Sequence, residues 1–144
     1  MKESNKDIQI ILSSENLSID IHYEFLRNDD CGAICFFIGN IRNNNFDKEV
    51  KKVHMEAYSP MVKLELERII SEAMKKWELH KVSVAHRYGD LSIGDIAVII
   101  GVVSKHRKNV FEATQYVIDE LKKSVPIWKN EFYLDGSNWQ VPHP

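Results

Sequence analysis

The segment that decides where the last helix ends and the chain turns back reads Lys122-Lys123-Ser124-Val125-Pro126-Ile127-Trp128-Lys129. Proline has no backbone N–H, and its ring clashes with the carbonyl four residues earlier, which here belongs to Lys122. The amphipathic helix must therefore end near Ser124, with Lys122 in its last turn. Lys129 follows on a short connection that Pro126 restrains. Two ammonium groups are thus held close together, as an anion site requires, although a lysine-rich helix end favoured by the helix dipole is the simpler interpretation on spacing alone.

The composition is that of one globular domain. A length of 144 residues fits a single domain, which we predict to span residues 1–144. The net charge of −2 argues against a general nucleic-acid binder. Charge is unevenly distributed, however, since residues 101–130 carry six basic and three acidic side chains, a local balance of +3 before His106 is counted. A small anionic ligand fits this excess better than a polyanion does.

The sequence pattern predicts no leader, membrane segment or metal site. Residues 1–7 are polar and charged, unlike a secretory signal, and no apolar run approaches the ~18 residues of a membrane span. We therefore expect a cytoplasmic protein that does not bind membranes. Cys31 and Cys35 have no further ligands at metal-binding spacing, and the isolated histidines do not supply them. We expect neither a metal ion nor a cofactor.

Strands and helices alternate in the predicted order β-α-β-β-α-β-β-α-β. Residues 33–38 are apolar on both faces, as in a central strand, and residues 53–58 alternate like a half-buried one. Ser59-Pro60 opens the longest helix, because proline is tolerated in the first turn. Asn109 and Glu112 predict a capping box for the last helix. This order indicates an α+β domain with a mostly antiparallel sheet and about three helices.

Two segments lack a periodic pattern. Residues 40–49 are polar, with Asn43-Asn44-Asn45 in the middle, which predicts a mobile loop. Residues 131–134 predict a final strand, and the tail over residues 135–144 is expected to be irregular.

Further basic residues follow the buried strands. Residues 104–108 join the end of one strand to the start of the last helix, where charge and free backbone N–H groups can bind phosphate together. This cluster contains His106 and Arg107, and an arginine fork matches phosphate oxygens. A solvated basic turn is an equal alternative. Arg42 enters the polar loop after a buried strand, a position at which a lone arginine is usually a surface residue.

Six motifs occur in order along the chain: Gly39-Asn40-Ile41-Arg42; Met55-Glu56-Ala57-Tyr58; His86-Arg87-Tyr88-Gly89 with Gly94-Asp95; Ser104-Lys105-His106-Arg107; Leu121-Lys122 through Pro126-Ile127-Trp128-Lys129-Asn130-Glu131; and Asp135-Gly136 with Trp139. Over residues 7–139 this series resembles the large, catalytic subunit of molybdopterin synthase. The Pro-Ile-Trp-Lys segment and the His106-Arg107 pair are its most specific parts.

The resemblance implies a reaction, an assembly and a fold. Molybdopterin synthases convert cyclic pyranopterin monophosphate into molybdopterin by installing a dithiolene, so the expected activity is that of a sulfurtransferase. The two sulfurs arrive as a thiocarboxylate on the C-terminal glycine of a small ubiquitin-like partner subunit. Two large subunits form a central homodimer with a small subunit at each end, which makes a heterotetramer. The family's large subunit has an α/β hammerhead-type fold, in keeping with the α+β domain predicted above.

The resemblance also implies site residues. Lys122 and Lys129 match the family's two active-site lysines. Its substrate- and anion-binding residues correspond to Arg42, His106 and Arg107. Thiocarboxylate and cyclic phosphate are both anions, so a pocket of such cations would bring them together despite their mutual repulsion. We expect Lys122 to transfer protons, with Lys129 and Arg42 holding anions. His106 and Arg107 would contact the phosphate and the pterin.

Two other functions compete with this one. A binding module that docks a ubiquitin-like partner or a nucleotide-like anion without chemistry would use the same pocket, although the paired lysines favour an enzyme. An RNA-binding domain fits poorly with the acidic net charge. The His86-Arg87 pair echoes His106-Arg107, but its place on a strand before a glycine turn favours a structural or dimer-contact role.

Overall fold

The computed structural model describes residues 1–141, which form three helices and ten strands. In chain order these are β1 (Lys2–Ser4), β2 (Ile8–Ser13), α1 (Ile19–Leu26), β3 (Ala33–Asn40), β4 (Asn44–Asn45), β5 (Lys48–Ala57), α2 (Ser59–Lys76), β6 (Lys81–Arg87), β7 (Gly89–Ser92), β8 (Ile96–Ser104), α3 (Arg107–Ser124), β9 (Ile127–Tyr133) and β10 (Asn138–Val141). Across this range no helix combines the length and the apolar character that a membrane crossing needs.

The first sheet has the strand order β1-β2-β6-β8-β3 and carries helices on both faces. Strands β2 and β6 run parallel, and the other neighbours are antiparallel. Gly101 of β8 faces α1, since a Cβ there would lie 2.5 Å from Leu26 Cδ1. Its neighbours Ile100 and Val102 point the other way, because side chains alternate along a strand. They join the main core with α2 and α3.

The second sheet has the order β10-β9-β5-β4, and β7 also pairs with β5. All of its strand pairs are antiparallel. Strand β9 begins at Ile127, directly after Pro126. The connection from α3 to β9 is short, as predicted, but the prediction that Lys129 lies on it is wrong, because Lys129 lies within β9 opposite Met55 of β5.

Three helices and mostly antiparallel strands confirm the predicted α+β class. Helix α3 ends at Ser124, where Pro126 predicts the stop, and the Val125 N–H still donates to the Leu121 carbonyl. The strand predicted at residues 33–38 forms and extends to Asn40. The prediction that it is a central strand is wrong, because β3 lies at the edge of the first sheet beside β8, and its apolar side chains are mostly half-buried.

The predicted capping box of α3 is wrong. The helix begins at Arg107, two residues earlier than Asn109, and has no side-chain cap. Asn109 Nδ2 instead donates to the Glu78 carbonyl at 3.3 Å, and Glu112 accepts a hydrogen bond of 2.8 Å from Trp77 Nε1. Packing of α3 beside α2 brings the end of α2 within reach of both side chains, and this tertiary contact replaces the local cap.

The segment predicted to be a mobile loop contains a hairpin. Strand β4 returns as β5, with Asn45 opposite Lys48 and a two-residue turn between them. Phe46 and Asp47 in this turn have φ of 52° and 59°. Positive φ at both central residues is typical of the type I′ turn that matches strand twist.

The tail is not irregular throughout. Gly136 has φ of 89°, and its N–H donates to the Tyr133 carbonyl, which reverses the chain. Asn138–Val141 then pairs antiparallel with β9, opposite residues 129–132. The remaining tail positions, residues 142–144, lie outside the described residues.

Candidate active site

A cavity of about 190 Å³ lies between the first sheet, α3 and the second sheet. At ~30 Å³ for each molecule in liquid water, this is room for roughly six waters. Its walls are largely apolar and include Phe37 of β3, Met55 of β5 and Ile118 of α3. The polar side chains among its lining residues are Asn40, His86, Lys122 and Lys129.

The cavity brings together the two lysines that the sequence pairs across Pro126. Lys122 lies in the last turn of α3 and is exposed. Lys129 lies in β9 with 17% of its side chain exposed. The chain reverses between them at Val125 and Pro126, so a helix end and a strand present ammonium groups to one partly enclosed space.

Lys129 is held by a buried carboxylate. Glu131, two residues later on the same face of β9, is 3% exposed, and its Oε2 lies 3.4 Å from Lys129 Nζ. Its Oε1 accepts hydrogen bonds from Asn45 Nδ2 at 2.6 Å and from the Tyr133 hydroxyl at 2.9 Å. Burial, followed by the bond to Glu131, raises the pKa of Tyr133. This network orients Lys129, because Glu131 is fixed from two other directions.

Arg42 lies beside the cavity and joins the same network. It follows Ile41, a lining residue, and its own side chain is exposed. Its Nη2 donates to Asn45 Oδ1 at 3.4 Å, a long hydrogen bond, and Asn45 in turn donates to Glu131. The hairpin thus links Arg42 to the carboxylate that holds Lys129.

His106 and Arg107 lie away from this cavity. Both are exposed at the start of α3, whereas Lys122 is in its last turn. At 1.5 Å of rise per residue, His106 and Lys122 are ~24 Å apart along the helix axis, which side chains cannot bridge. Within a single chain, Lys122, Lys129 and Arg42 therefore lie at or beside the cavity. His106 and Arg107 do not.

His86 lines the cavity, although its sequence position favours a structural role. Its ring is fully buried, and burial lowers its pKa to about 4. Nδ1 lies 2.9 Å from the Arg87 carbonyl, and Nε2 is buried without a partner among the described residues. Sequence reasoning did not include Glu131 or His86 among the site residues. The sequence feature that points to Glu131 is its spacing of two residues from Lys129, which places both on one face of a strand. The only sequence feature that points to His86 is the motif in which it occurs.

The arrangement suits the binding of an anion with an apolar body. Two ammonium groups face a largely apolar space in which electrostatic attraction is stronger than in water. Within residues 1–141, no three His, Cys, Asp or Glu side chains are grouped so that they could hold a metal ion. The ammonium groups themselves can stabilise negative charge and transfer protons.

Comparisons with known proteins identify the family of this chain. A family model described as MoaE protein matches residues 12–124. The chain belongs to the MoaE family. A relative from Homo sapiens, named molybdopterin synthase catalytic subunit, is 39% identical over 97% of this chain and 74% of its own length. Molybdopterin synthase catalytic subunit 1 of Mycobacterium tuberculosis is 41% identical, over 92% of this chain and 90% of its own length.

Solved structures of MoaE-like proteins share the fold. The crystal structure of molybdopterin synthase from Staphylococcus aureus superposes with a TM-score of 0.88 and 33% identity, covering 98% of this chain and all of that one. MoaE from Burkholderia ambifaria gives a TM-score of 0.79 at 30% identity, over 93% of this chain and 88% of that one. The predicted resemblance to molybdopterin synthase catalytic subunits and the predicted fold class are confirmed.

Proposed function

We propose that this chain is the catalytic subunit of a molybdopterin synthase and acts as a sulfurtransferase in molybdenum cofactor biosynthesis. It would move two sulfurs from the C-terminal thiocarboxylate of a small ubiquitin-like subunit to cyclic pyranopterin monophosphate, which forms the dithiolene of molybdopterin. The observation that carries this proposal is the cavity that Lys122 and Lys129 share. Membership of the MoaE family and the names of its relatives support it.

The roles of the lysines follow from their surroundings. Lys129 is paired with Glu131 at 3.4 Å and fixed in a strand, so it suits a stationary charge that holds an anion. Lys122 has no ion pair among the described residues and sits exposed on the last helical turn, so it can reach the reacting atoms and exchange protons with water. Sulfur transfer develops negative charge on oxygen, which positioned cations stabilise.

Arg42 would hold the second anion. Its bond to Asn45 is long and solvent-exposed, so the guanidinium can turn towards a phosphate without breaking a buried contact. A planar fork then offers two parallel hydrogen bonds to phosphate oxygens. The thiocarboxylate and the phosphate would thus be held from opposite ends of one network.

His106 and Arg107 would serve the cavity of a second copy of this chain. Along α3 they lie ~24 Å from Lys122, which excludes them from the cavity of their own chain. The central homodimer expected from the family resemblance would bring the start of α3 from one copy towards the cavity of the other. Their exposure and their lack of ion pairs within residues 1–141 leave both free for such a contact.

The test is reconstitution from purified parts. The chain is mixed with thiocarboxylated small subunit and cyclic pyranopterin monophosphate, and molybdopterin is assayed. Lys122→Ala should lower turnover at least ~100-fold, because it removes a general acid or base. Lys123→Ala is the matched control, since this neighbour is exposed, pairs with Glu120 at 3.1 Å and does not line the cavity.

The outcomes separate the two functions. Near-normal turnover by Lys122→Ala would contradict its assigned role. A stable complex of the native chain with the small subunit but without product would favour the docking module, which binds the carrier and does no chemistry. The single-domain extent and the cytoplasmic location stay predictions.

A further inference from the structure

His86, a lining residue of the cavity, has an unused hydrogen-bond acceptor, Nε2, buried in the cavity wall. It lies in β6 opposite Val98 of β8, and Val98 lies opposite Gly39 of β3. Directly opposed residues of antiparallel strands point to the same face of a sheet. All three residues line the cavity, so the imidazole stands in the sheet wall that faces the ligand space.

The hydrogen-bond partners of the ring define its tautomer. The Arg87 carbonyl can only accept, so Nδ1, 2.9 Å away, must carry the proton and donate. Arg87 itself is fixed in position, because its Nη1 donates to Asp95 Oδ2 and to Asn16 Oδ1, each at 2.9 Å. In the neutral buried ring Nε2 is then a bare acceptor, and no described group donates to it. Leaving a buried acceptor unpaired is unfavourable, so a partner is expected there.

The other polar groups of the cavity indicate which kind of ligand could replace water as that partner. Lys122 and Lys129 are donors only, so they suit the anionic part of a ligand. His86 Nε2 only accepts, so it suits an N–H or O–H group. A ligand that satisfies both sets carries negative charge at one end and a neutral donor at the other, with an apolar or aromatic body against Met55 and Ile118. The thiocarboxylate group has acceptors alone, and the glycine that carries it has an N–H donor but no apolar or aromatic body, so the end of the small subunit does not meet this description.

We propose that His86 Nε2 accepts a hydrogen bond from an N–H or O–H group of the pterin substrate and so determines how its ring system is oriented. This deepens the proposed function and rests on it. His86 is thereby a substrate-binding residue, whereas its Nδ1 bond to Arg87 serves only to hold the ring.

Two variants separate these two roles of the ring. The amide nitrogen of asparagine is as many bonds from Cα as Nδ1, so His86→Asn keeps a donor for Arg87 and loses the acceptor in the cavity. The amide oxygen of glutamine is as many bonds from Cα as Nε2, so His86→Gln keeps the acceptor and loses the bond to Arg87. A purely structural role would therefore rank the two variants in the opposite order from a ligand-binding role.

The first measurement is calorimetric titration of each variant with cyclic pyranopterin monophosphate alone, and separately with the small subunit alone. His86→Asn should weaken pterin binding about 10-fold, the loss expected for one neutral hydrogen bond. His86→Gln should stay within about 3-fold of the native chain, and small-subunit binding should not change in either variant. Native-like pterin binding by His86→Asn, or a loss confined to small-subunit binding, would overturn the proposal.

A second measurement needs no substitution and so does not depend on whether a variant folds. In the native chain labelled with ¹⁵N-histidine, the unprotonated Nε2 signal of His86 should shift upfield when the pterin saturates the site. An unchanged signal, or a signal from protonated Nε2, would overturn the proposal while leaving the proposed function intact. If the native chain neither binds the pterin nor forms molybdopterin, the proposed function fails and the assignment of His86 fails with it.

Discussion

Replacing Glu131 by glutamine should detach Lys129 while leaving the rest of the buried network in place. Asn45 and Tyr133 both donate to Oε1, and an amide oxygen can accept the same two hydrogen bonds. Lys129 instead faces Oε2 at 3.4 Å, where an amide would place a donor against the ammonium group. The substitution therefore removes one ion pair at almost constant volume.

The burial of both groups sets the size of the effect. The Glu131 side chain is 3% exposed and that of Lys129 17%. Charges 3.4 Å apart attract by about 5 kcal/mol at an effective dielectric constant of ~20. The cost of desolvating the carboxylate offsets part of this attraction. Breaking a buried ion pair costs ~3–5 kcal/mol when the remaining charge is left buried and unpaired, but Lys129 keeps some access to water, so we expect the free energy of unfolding to fall by about 2 kcal/mol.

Urea unfolding followed by tryptophan fluorescence measures this loss. With a slope of about 2 kcal/mol per molar, the midpoint of Glu131→Gln should fall by about 1 M. Molybdopterin formation should fall about 10-fold as well, because Lys129 is no longer held in position. Glu56→Gln on the neighbouring strand β5 is the control, since this exposed carboxylate should change stability by less than about 0.5 kcal/mol. A midpoint for Glu131→Gln within about 0.2 M of the native value would refute the reasoning.

Two further predictions concern the assembly and the histidines. If Arg107 serves the cavity of a second copy, mixing inactive Lys122→Ala with inactive Arg107→Ala should restore about one quarter of native activity. Half of the dimers are then mixed, and each mixed dimer has one complete site, with Lys122 from one copy and Arg107 from the other. The absence of any recovery would contradict this. Burial lowers the pKa of His86 from 6.5 to about 4, so only the unfolded chain gains this proton as pH falls through 6.5. Between pH 7.5 and pH 5 this should lower the free energy of unfolding by on the order of 2 kcal/mol, and His22, whose pKa burial also lowers to about 4, should add a similar loss. Urea unfolding at both values checks this, and an equal loss in His86→Gln would contradict it.

Features that depend on neighbouring residues could be predicted from the sequence. Pro126 stops α3 at Ser124 because its ring excludes the helical conformation for the preceding turn, whatever the tertiary context. The apolar run that begins at Ala33 becomes the strand β3 in the first sheet, and Ser59 opens α2 as expected.

Features that depend on distant partners were predicted less well. Asn109 and Glu112 have the spacing of a capping box, but the end of α2 offered both side chains better-placed partners. The tail strand had a local signal in Asp135-Gly136, a dipeptide typical of hairpin turns, although the sequence beyond it has no clear alternation. Strand β10 forms because β9 offers it an edge, and only the folded sheet provides that edge.

The sequence by itself determined where the chain turns and which lysines are candidates, because both depend on residue type and short spacing. Tertiary structure decided which candidates meet. Lys122 and Lys129 share a cavity because a helix and a strand converge there, while α3 carries His106 to its opposite end. For Glu131 and His86 the sequence offered only a spacing and a motif, and tertiary structure was needed to assign them to the site, since desolvation and hydrogen-bond partners give a carboxylate or an imidazole its role. Those surroundings come from strands and loops far apart in the chain, and no local pattern encodes them.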